Sequence, residues 1–364
     1  MTGAGEPSPA PRQPFGDRLA AAVAARESQI VLGLDPDPAR LWPGALDRSS
    51  QARAELARGL SDAHADLRGL VEEHEDRRDE QAPAGGNGDL HRVVAVGHGT
   101  HVPLHTGALE SAAAVVVHCM ALIDAAGPAC VAAKPQLACF ERLGFAGVLA
   151  LEAVRAYAGA AGLLVLADGK RGDVPVTAAA YAQALAGATP SPFGAAPGLQ
   201  ADAFTVNPLL GRDALAPLVD GARAAGAGTF VLVRTSNPGA ADVFDLPLAT
   251  GEPLWERLAQ LVGELGESGR AGLSDVGAVT GATAPEHLAR MRELMPAAPF
   301  LLPGVGAQGG DVAALAPAFA PGHAAGLVTA SRSIAHAYES GTGDPPSAAR
   351  AEAERLRETA WALA

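Results

Sequence analysis

Eight short apolar segments recur along the chain, and each ends in a polar or charged residue or in a glycine. Longer Ala- and Leu-rich stretches of helical character separate them. The segments are QIVLGLD ending at Asp35, CVAAK at Lys134, LLVLAD at Asp168, AFTVN at Asn207, TFVLVR at Arg234, VGAVTG at Gly281, PFLLPG at Gly304 and GLVTAS at Ser331. Eight strands alternating with helices predict a (β/α)8 TIM barrel, an α/β fold whose functional groups lie at the C-terminal strand ends. A doubly wound open sheet is the alternative, but no glycine-rich dinucleotide motif follows the first segment.

The charge balance limits the partners. The chain has 27 Lys and Arg residues against 40 Asp and Glu residues, a formal net charge of -13. Such a charge argues against a nonspecific nucleic-acid surface or an acidic-membrane surface, so an anionic ligand needs a local basic site. The apolar stretch AAAVVVHCMALIDAAG is too short and too interrupted by polar residues to span a bilayer. With three cysteines that lack metal or disulfide spacing, and no secretory pattern, we expect a soluble cytoplasmic protein.

The spacing of the segments predicts the domain organisation. We expect a loose tail over residues 1–14, a barrel over 15–338, and a linker with a C-terminal helix that packs on the barrel over 339–364. The first two segments end 99 residues apart, whereas no other interval exceeds 47. Residues 76–106 are charged and Gly/Pro-rich and then histidine-rich, so they predict an insertion that forms a surface excursion or a partly disordered loop.

The histidines of this insertion raise the possibility of a metal site. His98, His101 and His105 have the spacing at which imidazoles meet on one helix face. Two glycines and Pro103 argue against a helix there, and no nearby carboxylate or thiol completes a ligand set. Solvated loop histidines are therefore favoured, and no metal is predicted.

The segment ADGKRGD carries the densest charge in the chain. Asp168 and Lys170 are two apart on a strand and so point to the same face, while Asp173 follows where the chain turns. Carboxylates beside a lysine favour its ammonium form, which makes Lys170 a proton donor and not a Schiff-base amine. A surface salt bridge is the alternative. Lys134 and Asp35 end neighbouring strands, so an alternating Asp–Lys array at one spot is predicted.

Two signals near the C-terminus indicate a phosphate site. LLPGVGAQGGD is a glycine-rich turn after the seventh segment, and VTASRSI places an arginine after the eighth. The loops after strands seven and eight of this fold often bind phosphate through backbone N–H groups. We therefore expect an anionic group of the ligand at this side of the barrel mouth.

Seven motifs in order resemble one enzyme family. They are GLDPD, KPQLACFE, DGKRGD, TVNPLLG, RTSNPG, PGVGAQGGD and ASRSI. Together they resemble orotidine 5′-phosphate decarboxylase in its longer bacterial form, over about residues 30–337 without the insertion. The resemblance implies a homodimeric barrel that removes CO2 from orotidine 5′-monophosphate to give UMP in pyrimidine biosynthesis, without a metal or organic cofactor.

The resemblance also implies roles for the residues around the predicted charge array. Lys170 would protonate C6 of the pyrimidine, and Asp168 would lie against the substrate carboxylate. Lys134 would organise the array, and Asp35 would bind ribose. Ser236 would read the pyrimidine.

The resemblance implies roles for five further residues. Asp173 and Thr177 would act in the partner subunit's site, although Thr177 has helix capping as an alternative role. Gln308 and Arg332 would hold the phosphate, with an ordinary surface arginine as the alternative for Arg332. Asn207 would line the site, or would only terminate a strand.

Two rival functions remain open at this point. Metal-dependent sugar-phosphate decarboxylases and aldolases of the same superfamily resemble the central motif, but they carry an acidic residue where this chain has Lys134. A noncatalytic nucleotide-phosphate-binding barrel is a different class, and the long first interval is its only support. The complete set of Asp168, Lys170 and Asp173 argues against it.

Overall fold

A closed barrel of eight parallel strands forms the core of the structure. The computed structural model describes residues 12–46, 55, 93–96, 100–103, 106–305, 309–341 and 343–364. The barrel strands are β1 (Ile30–Leu34), β2 (Ala132–Pro135), β3 (Leu164–Arg171), β4 (Ala203–Val206), β5 (Gly228–Arg234), β6 (Val276–Thr280), β7 (Phe300–Leu302) and β8 (Gly326–Ala330). They follow one another around the barrel, which closes where β1 pairs with β8. The predicted fold is confirmed, and all eight predicted segments contribute a strand.

Helices connect the strands. They are α1 (Phe15–Arg26), α2 (Thr106–Ala126), α3 (Leu137–Glu141), α4 (Gly144–Ala160), α5 (Pro175–Leu185), α6 (Arg212–Ala224), α7 (Ala241–Phe244), α8 (Leu254–Leu265), α9 (Leu288–Leu294), α10 (Arg332–Ala335) and α11 (Pro345–Trp361). The 3-10 helices are Gly127–Ala129, Pro238–Ala240, Pro285–His287, Val312–Phe319, His323–Ala325 and Ala337–Ser340. In α8 the buried residues are Trp255, Leu258, Ala259, Leu261 and Val262. That spacing produces one apolar face, as expected for a helix that packs on a sheet.

Helix α1 covers the amino-terminal end of the barrel. Phe15, Leu19 and Val23 recur once per turn, are buried, and belong to the same apolar cluster as the inward side chains of the strands. Arg18 fixes the helix, since its guanidinium donates to Asp202 Oδ1 at 2.6 Å, just before β4 begins. The opposite, carboxyl-terminal end of the barrel is where a ligand has room to enter.

Helix α11 packs on the barrel-containing part of the chain. Asp344 precedes it and accepts a hydrogen bond from the Ser347 backbone N–H at 3.1 Å, which caps its first turn. At the other end the Trp361 ring stacks on the His323 ring, with centroids 3.7 Å apart. Trp361 also packs against the core cluster. A terminal helix within 339–364 was predicted, and its residues are those of α11.

The chain divides into two compact units. The first comprises the described parts of residues 1–35, 122–137 and 155–364, and it contains all eight barrel strands. The second comprises the described parts of residues 36–121 and 138–154. The second unit is therefore wider than the predicted insertion over 76–106.

Part of the predicted insertion forms an antiparallel hairpin. Strands Val93–Val96 and Thr100–Pro103 pair with Val94 opposite Val102 and Ala95 opposite His101. His98 and His105 lie outside the described residues. Over the part of the chain that the structure describes, no group of three or more His, Cys, Asp or Glu side chains could hold a metal ion.

Helix α2 is longer than the apolar stretch within it suggested. Residues 107–129 are long and apolar enough to cross a membrane by length and composition, since an 18-residue window within them has a mean hydropathy of 1.6. However, 78% of that window is buried within the structure. Core helices of soluble proteins have the same composition, so burial accounts for the apolar character of this helix.

Candidate active site

A cavity of about 350 Å³ lies at the carboxyl ends of the strands, within the first unit. Six of the predicted site residues line it: Asp35, Lys134, Asp168, Lys170, Ser236 and Arg332. The remaining lining residues are Gln136, Thr205, Thr235, Asn237, Val279, Leu301, Pro303, Gly304, Val305, Thr329 and Ser331. The residues come from every part of the barrel, so only the closed fold brings them together.

Asp168 lies between two ammonium groups. Lys134 Nζ is 2.8 Å from Asp168 Oδ2, and Lys170 Nζ is 2.6 Å from Asp168 Oδ1. Asp35 Oδ1 is 3.9 Å from Lys134 Nζ and completes the array. The predicted alternation of Asp and Lys side chains is therefore present. Lys134 is nearly buried, whereas the Lys170 side chain is 41% exposed, so Lys170 is the ammonium that a ligand can reach.

These contacts determine the ionisation of Asp168. The residue is only 6% exposed, and burial alone would raise the pKa of its carboxyl. The charges of Lys134 and Lys170, and the hydrogen bonds that both donate, outweigh burial and hold the pKa of Asp168 well below its ordinary value. Asp168 is therefore a carboxylate at every pH at which the protein is expected to work.

The two site lysines are the only lysines in the sequence; the other 25 of its 27 basic residues are arginines. An arginine in a protein keeps its proton at all accessible pH values, whereas a lysine can release one. The chain thus uses arginine for its other cations and reserves lysine for the cavity. This distribution favours a chemical role for at least one of Lys134 and Lys170.

Lys170 reaches Asp168 through a distorted strand and not through regular alternation. Its φ of 48° lies in the left-handed region, and the register between β3 and β4 shifts between Ala167 and Arg171. The Lys170 backbone N–H donates to Thr205 Oγ1 at 2.9 Å, which holds this unusual conformation. The predicted proximity of the two side chains is correct, but the reason given for it was wrong.

Two polar residues of the array were missed by the sequence analysis. Thr205 Oγ1 donates to Asp168 Oδ1 at 2.9 Å, and Gln136 Nε2 donates to Asp168 Oδ2 at 3.3 Å. Both residues bind the carboxylate that the lysines surround, so Asp168 is fixed from four sides. The sequence carried a signal for Gln136, which lies two positions after Lys134, but none for Thr205, whose contact depends on the shifted register between β3 and β4.

The wall formed by β7 and β8 has the features of an anion site. Gly304 and Val305 line the cavity after β7, and Gly310 N–H donates to the Gly304 carbonyl at 2.9 Å. Arg332 lines the cavity directly after β8 and is exposed. Gln308 lies outside the described residues, so its predicted role stays a prediction. The cavity lining thus holds two carboxylates, two ammoniums and one guanidinium, an excess of one positive charge in a protein of net charge -13.

The loop after β5, residues 235–245, forms the facing wall. Thr235, Ser236 and Asn237 line the cavity, and Thr235 Oγ1 donates to Asn237 Oδ1 at 2.6 Å. Thr283 Oγ1 donates to the Ser236 carbonyl at 3.1 Å. Hydroxyl and amide groups without net charge suit the edge of a neutral heterocycle, as the resemblance implies for Ser236.

Three predicted site residues do not line this cavity. Asp173 is half-buried, and its Oδ1 accepts a hydrogen bond from the Val174 backbone N–H at 2.7 Å. Thr177 is exposed in the first turn of α5, whose N-cap is Val174, so Thr177 is not the capping residue. Asn207 Oδ1 accepts from the Leu209 N–H at 3.0 Å, the geometry of a side chain that ends a strand and starts a turn.

The comparison with known proteins decides the family. A family model described as orotidine 5′-phosphate decarboxylase / HUMPS family matches residues 114–350. The chain belongs to this family. The resemblance drawn from the seven motifs is thereby confirmed.

Individual relatives agree with the family model. The orotidine 5′-phosphate decarboxylase of Haloarcula marismortui is 38% identical over 326 residues, which cover 89% of this chain and 88% of that protein. The protein of the same name from Deinococcus radiodurans is 45% identical over 240 residues, 65% of this chain and 81% of that protein. The solved structure of the Leishmania donovani OMP decarboxylase matches this fold with a TM-score of 0.59 at 26% identity, and it covers 96% of this chain and 99% of that one.

Proposed function

We propose that Lys170 is the proton donor in the decarboxylation of orotidine 5′-monophosphate to UMP, the reaction of this enzyme family. The bond between C6 of the pyrimidine and the carboxylate breaks, the electron pair stays on C6, and CO2 leaves. The ammonium of Lys170 then gives its proton to C6. The observation that carries this proposal is the partly exposed Lys170 ammonium, 2.6 Å from the buried Asp168 carboxylate at the cavity.

The array favours the transition state over the bound substrate. The carboxylate of the substrate, placed near Lys170, would approach the Asp168 carboxylate, which cannot take up a proton to relieve the repulsion. Departure of CO2 removes that repulsion, while the charge that develops on C6 is attracted by the ammoniums of Lys134 and Lys170. Because Asp168 already fixes both lysines, little reorganisation is needed when the bond breaks.

Proton donation alone is too weak to account for the reaction. A general acid contributes about 10²- to 10⁴-fold, or roughly 3–5 kcal/mol. A very slow uncatalysed reaction needs on the order of 20 kcal/mol of barrier lowering. The larger part must come from the fixed charges and from binding energy at the phosphate and ribose, for which we propose Arg332, Gln308 and Asp35.

The test of Lys170 measures turnover of the purified, chelator-treated protein. Turnover is monitored as the loss of orotidine 5′-monophosphate absorbance. We expect Lys170→Ala to bind UMP and to lose nearly all turnover. Arg290→Ala is the control, because it removes a cation from an exposed ion pair with Glu256. More than about a tenth of wild-type kcat in Lys170→Ala would exclude the proton-donor role, since a general acid contributes at least about 10²-fold. Turnover that stops with the chelator would favour the metal-dependent alternative.

We also propose that the active unit is a homodimer in which Asp173 and Thr177 act in the partner's site. Neither residue lines the cavity of its own chain. The side chains near them include exposed apolar groups, since Val174 is 54% and Val176 85% exposed. Exposed apolar residues beside functional polar ones are typical of an interface. No nucleic acid or membrane partner is proposed, and we place the enzyme in the cytoplasm.

Complementation tests the shared site. Lys170→Ala and Asp173→Asn are each expected to be nearly inactive alone. If Asp173 acts across the interface, a mixed dimer of the two variants has one site with both wild-type residues, so random mixing restores about a quarter of the wild-type activity. If Asp173 acts within its own chain, every site in the mixture lacks one residue and no activity returns. A monomer in solution at assay concentration would also refute the proposal.

A further inference from the structure

One ion pair joins the two ends of the β5 loop. Arg234, the last residue of β5, donates from Nε and Nη2 to the two carboxylate oxygens of Asp245, each at 2.8 Å. The Arg234 side chain is 13% exposed and that of Asp245 is 32% exposed, so solvent screens the pair only in part. The hydrogen bond between them raises the pKa of Arg234 and lowers the pKa of Asp245. A two-point pair of this kind fixes an angle as well as a distance.

The same loop is held near its start by the residues that follow β6. Gly281 N–H donates to the Arg234 carbonyl at 2.8 Å, and Thr283 Oγ1 donates to the Ser236 carbonyl. The contact at Gly281 is close, since a Cβ there would lie 2.7 Å from Ser236 Cα. At the far end of the loop, Phe244, which directly precedes Asp245, is buried. The path of the loop is therefore fixed before any ligand binds.

Arg234 and Asp245 do not line the cavity, whereas Thr235, Ser236 and Asn237, which follow Arg234 in the loop, do. We propose that the Arg234–Asp245 pair is a positioning device for recognition of the nucleotide base, which sets the place of Ser236 and Asn237 at the cavity wall. The inference rests on the proposed role of Ser236 in reading the pyrimidine. It assigns specificity for the base to a contact outside the cavity.

The physical reason is the entropy of the loop. When the two-point pair is broken, the segment that carries Ser236 and Asn237 gains conformations that cannot contact the base. Binding of a nucleotide must then select the competent conformation, which lowers the apparent affinity in proportion to its population. A ligand without a base uses Asp35 and the β7 and β8 wall but not the β5 loop, so its affinity does not depend on the loop.

The test compares UMP with ribose 5-phosphate by calorimetry on the full chain. For Asp245→Asn we expect UMP affinity to fall about tenfold, equivalent to about 1.4 kcal/mol, while ribose 5-phosphate affinity changes less than about twofold. KM for orotidine 5′-monophosphate should rise by a similar factor, with a smaller change in kcat. Arg234→Lys keeps the charge but loses the two-point geometry, so it should behave in the same way and serves if Asp245→Asn folds poorly.

Glu256→Gln is the matched control, because it breaks an Arg–carboxylate pair with Arg290 on the outer helices. We expect it to leave both affinities unchanged. Unchanged UMP affinity in Asp245→Asn and Arg234→Lys, or an equal loss for UMP and ribose 5-phosphate, overturns the positioning role. Ser236→Ala separates this failure from that of the proposed function: if it leaves UMP affinity unchanged, the base-reading role itself is wrong and the inference falls with it.

Discussion

Replacement of Lys134 by methionine tests whether the buried charge array stabilises the fold. Methionine keeps an apolar stem of similar length but removes the ammonium, which lies 2.8 Å from Asp168 Oδ2. Asp168 would retain Lys170 and Thr205 at its other oxygen. Removal of one partner of a buried pair costs about 3–5 kcal/mol, and the remaining partners place Lys134→Met near the lower value, about 3 kcal/mol at pH 7.

The pH dependence identifies the origin of that loss. The pKa of Asp168 is lowered in the folded protein, so its contribution to stability is present above the pKa of the unfolded chain, about 3.9. That contribution is lost as the pH falls below this value toward the folded pKa. The stability gap between wild type and Lys134→Met should therefore be constant from pH 7 to about pH 5 and should narrow below about pH 4, by up to about 1.4 kcal/mol per pH unit.

Guanidinium unfolding followed by circular dichroism measures the gap at each pH. Nitrogen-15 labelling of lysine side chains gives a second readout, because the sequence has only two lysines and Lys134→Met leaves the signal of Lys170 alone. Arg212→Met is the control: it removes an exposed ion pair with Glu264 and should cost less than about 1 kcal/mol at any pH. A gap that does not change with pH would mean that the loss of stability does not come from the ionised Asp168. A gap below about 0.5 kcal/mol would refute the stabilising role, since that is the range of surface substitutions.

Three other changes test separate parts of the structure. Gly281→Ala should destabilise the protein by about 1–3 kcal/mol and weaken UMP binding, because the new Cβ would lie 2.7 Å from Ser236 Cα. Thermal unfolding measures the loss of stability, and calorimetry measures the loss of UMP affinity. Burial raises the pKa of the Cys130 thiol to about 12. At pH 8 this thiol should therefore react with iodoacetamide only after the protein unfolds, as measured by peptide mass, and rapid labelling of the native protein would contradict its burial. Trp361→Ala should lower the free energy of unfolding by about 1–3 kcal/mol, because the half-buried ring stacks on His323 and packs on the core. An unchanged melting temperature would show that α11 does not stabilise the barrel.

The barrel was predictable because its signal is local and repeated. Each strand is a short apolar run, and each run ends in a polar or charged residue or in a glycine. The long interval between the first two segments was also visible, but its structure was not. A second unit that includes residues 138–154 depends on contacts between distant parts of the chain, which no run of residues encodes.

The charged members of the site were predictable for a related reason. Asp35, Lys134 and Asp168 lie at or near the carboxyl ends of consecutive strands, and parallel strands bring these ends to one edge. Arg332 follows the eighth segment, the resemblance added Ser236, and both line the cavity.

The missed residues follow from geometry that spacing does not reveal. Thr205 contacts Asp168 because β3 and β4 are neighbours whose register shifts just before Lys170. A threonine in an apolar strand is ordinary until that shift is known. Asp245 was missed because its partner lies 11 residues away across a loop, a distance at which sequence gives no sign of pairing.

The distribution of cations explains how one chain separates structure from chemistry. Arg18, Arg223 and Arg234 tie elements together with hydrogen bonds that have fixed direction, donated by guanidiniums that keep their protons at all accessible pH values. A proton donor needs the opposite property, a group that can lose its proton and regain it, and both lysines of the chain line the cavity, with Lys170 as the proposed donor. Exchange of Lys170 for arginine would keep the charge beside Asp168 and remove the transferable proton. Binding of UMP by such a variant without turnover is therefore the outcome that separates the chemical role of the lysine from its charge.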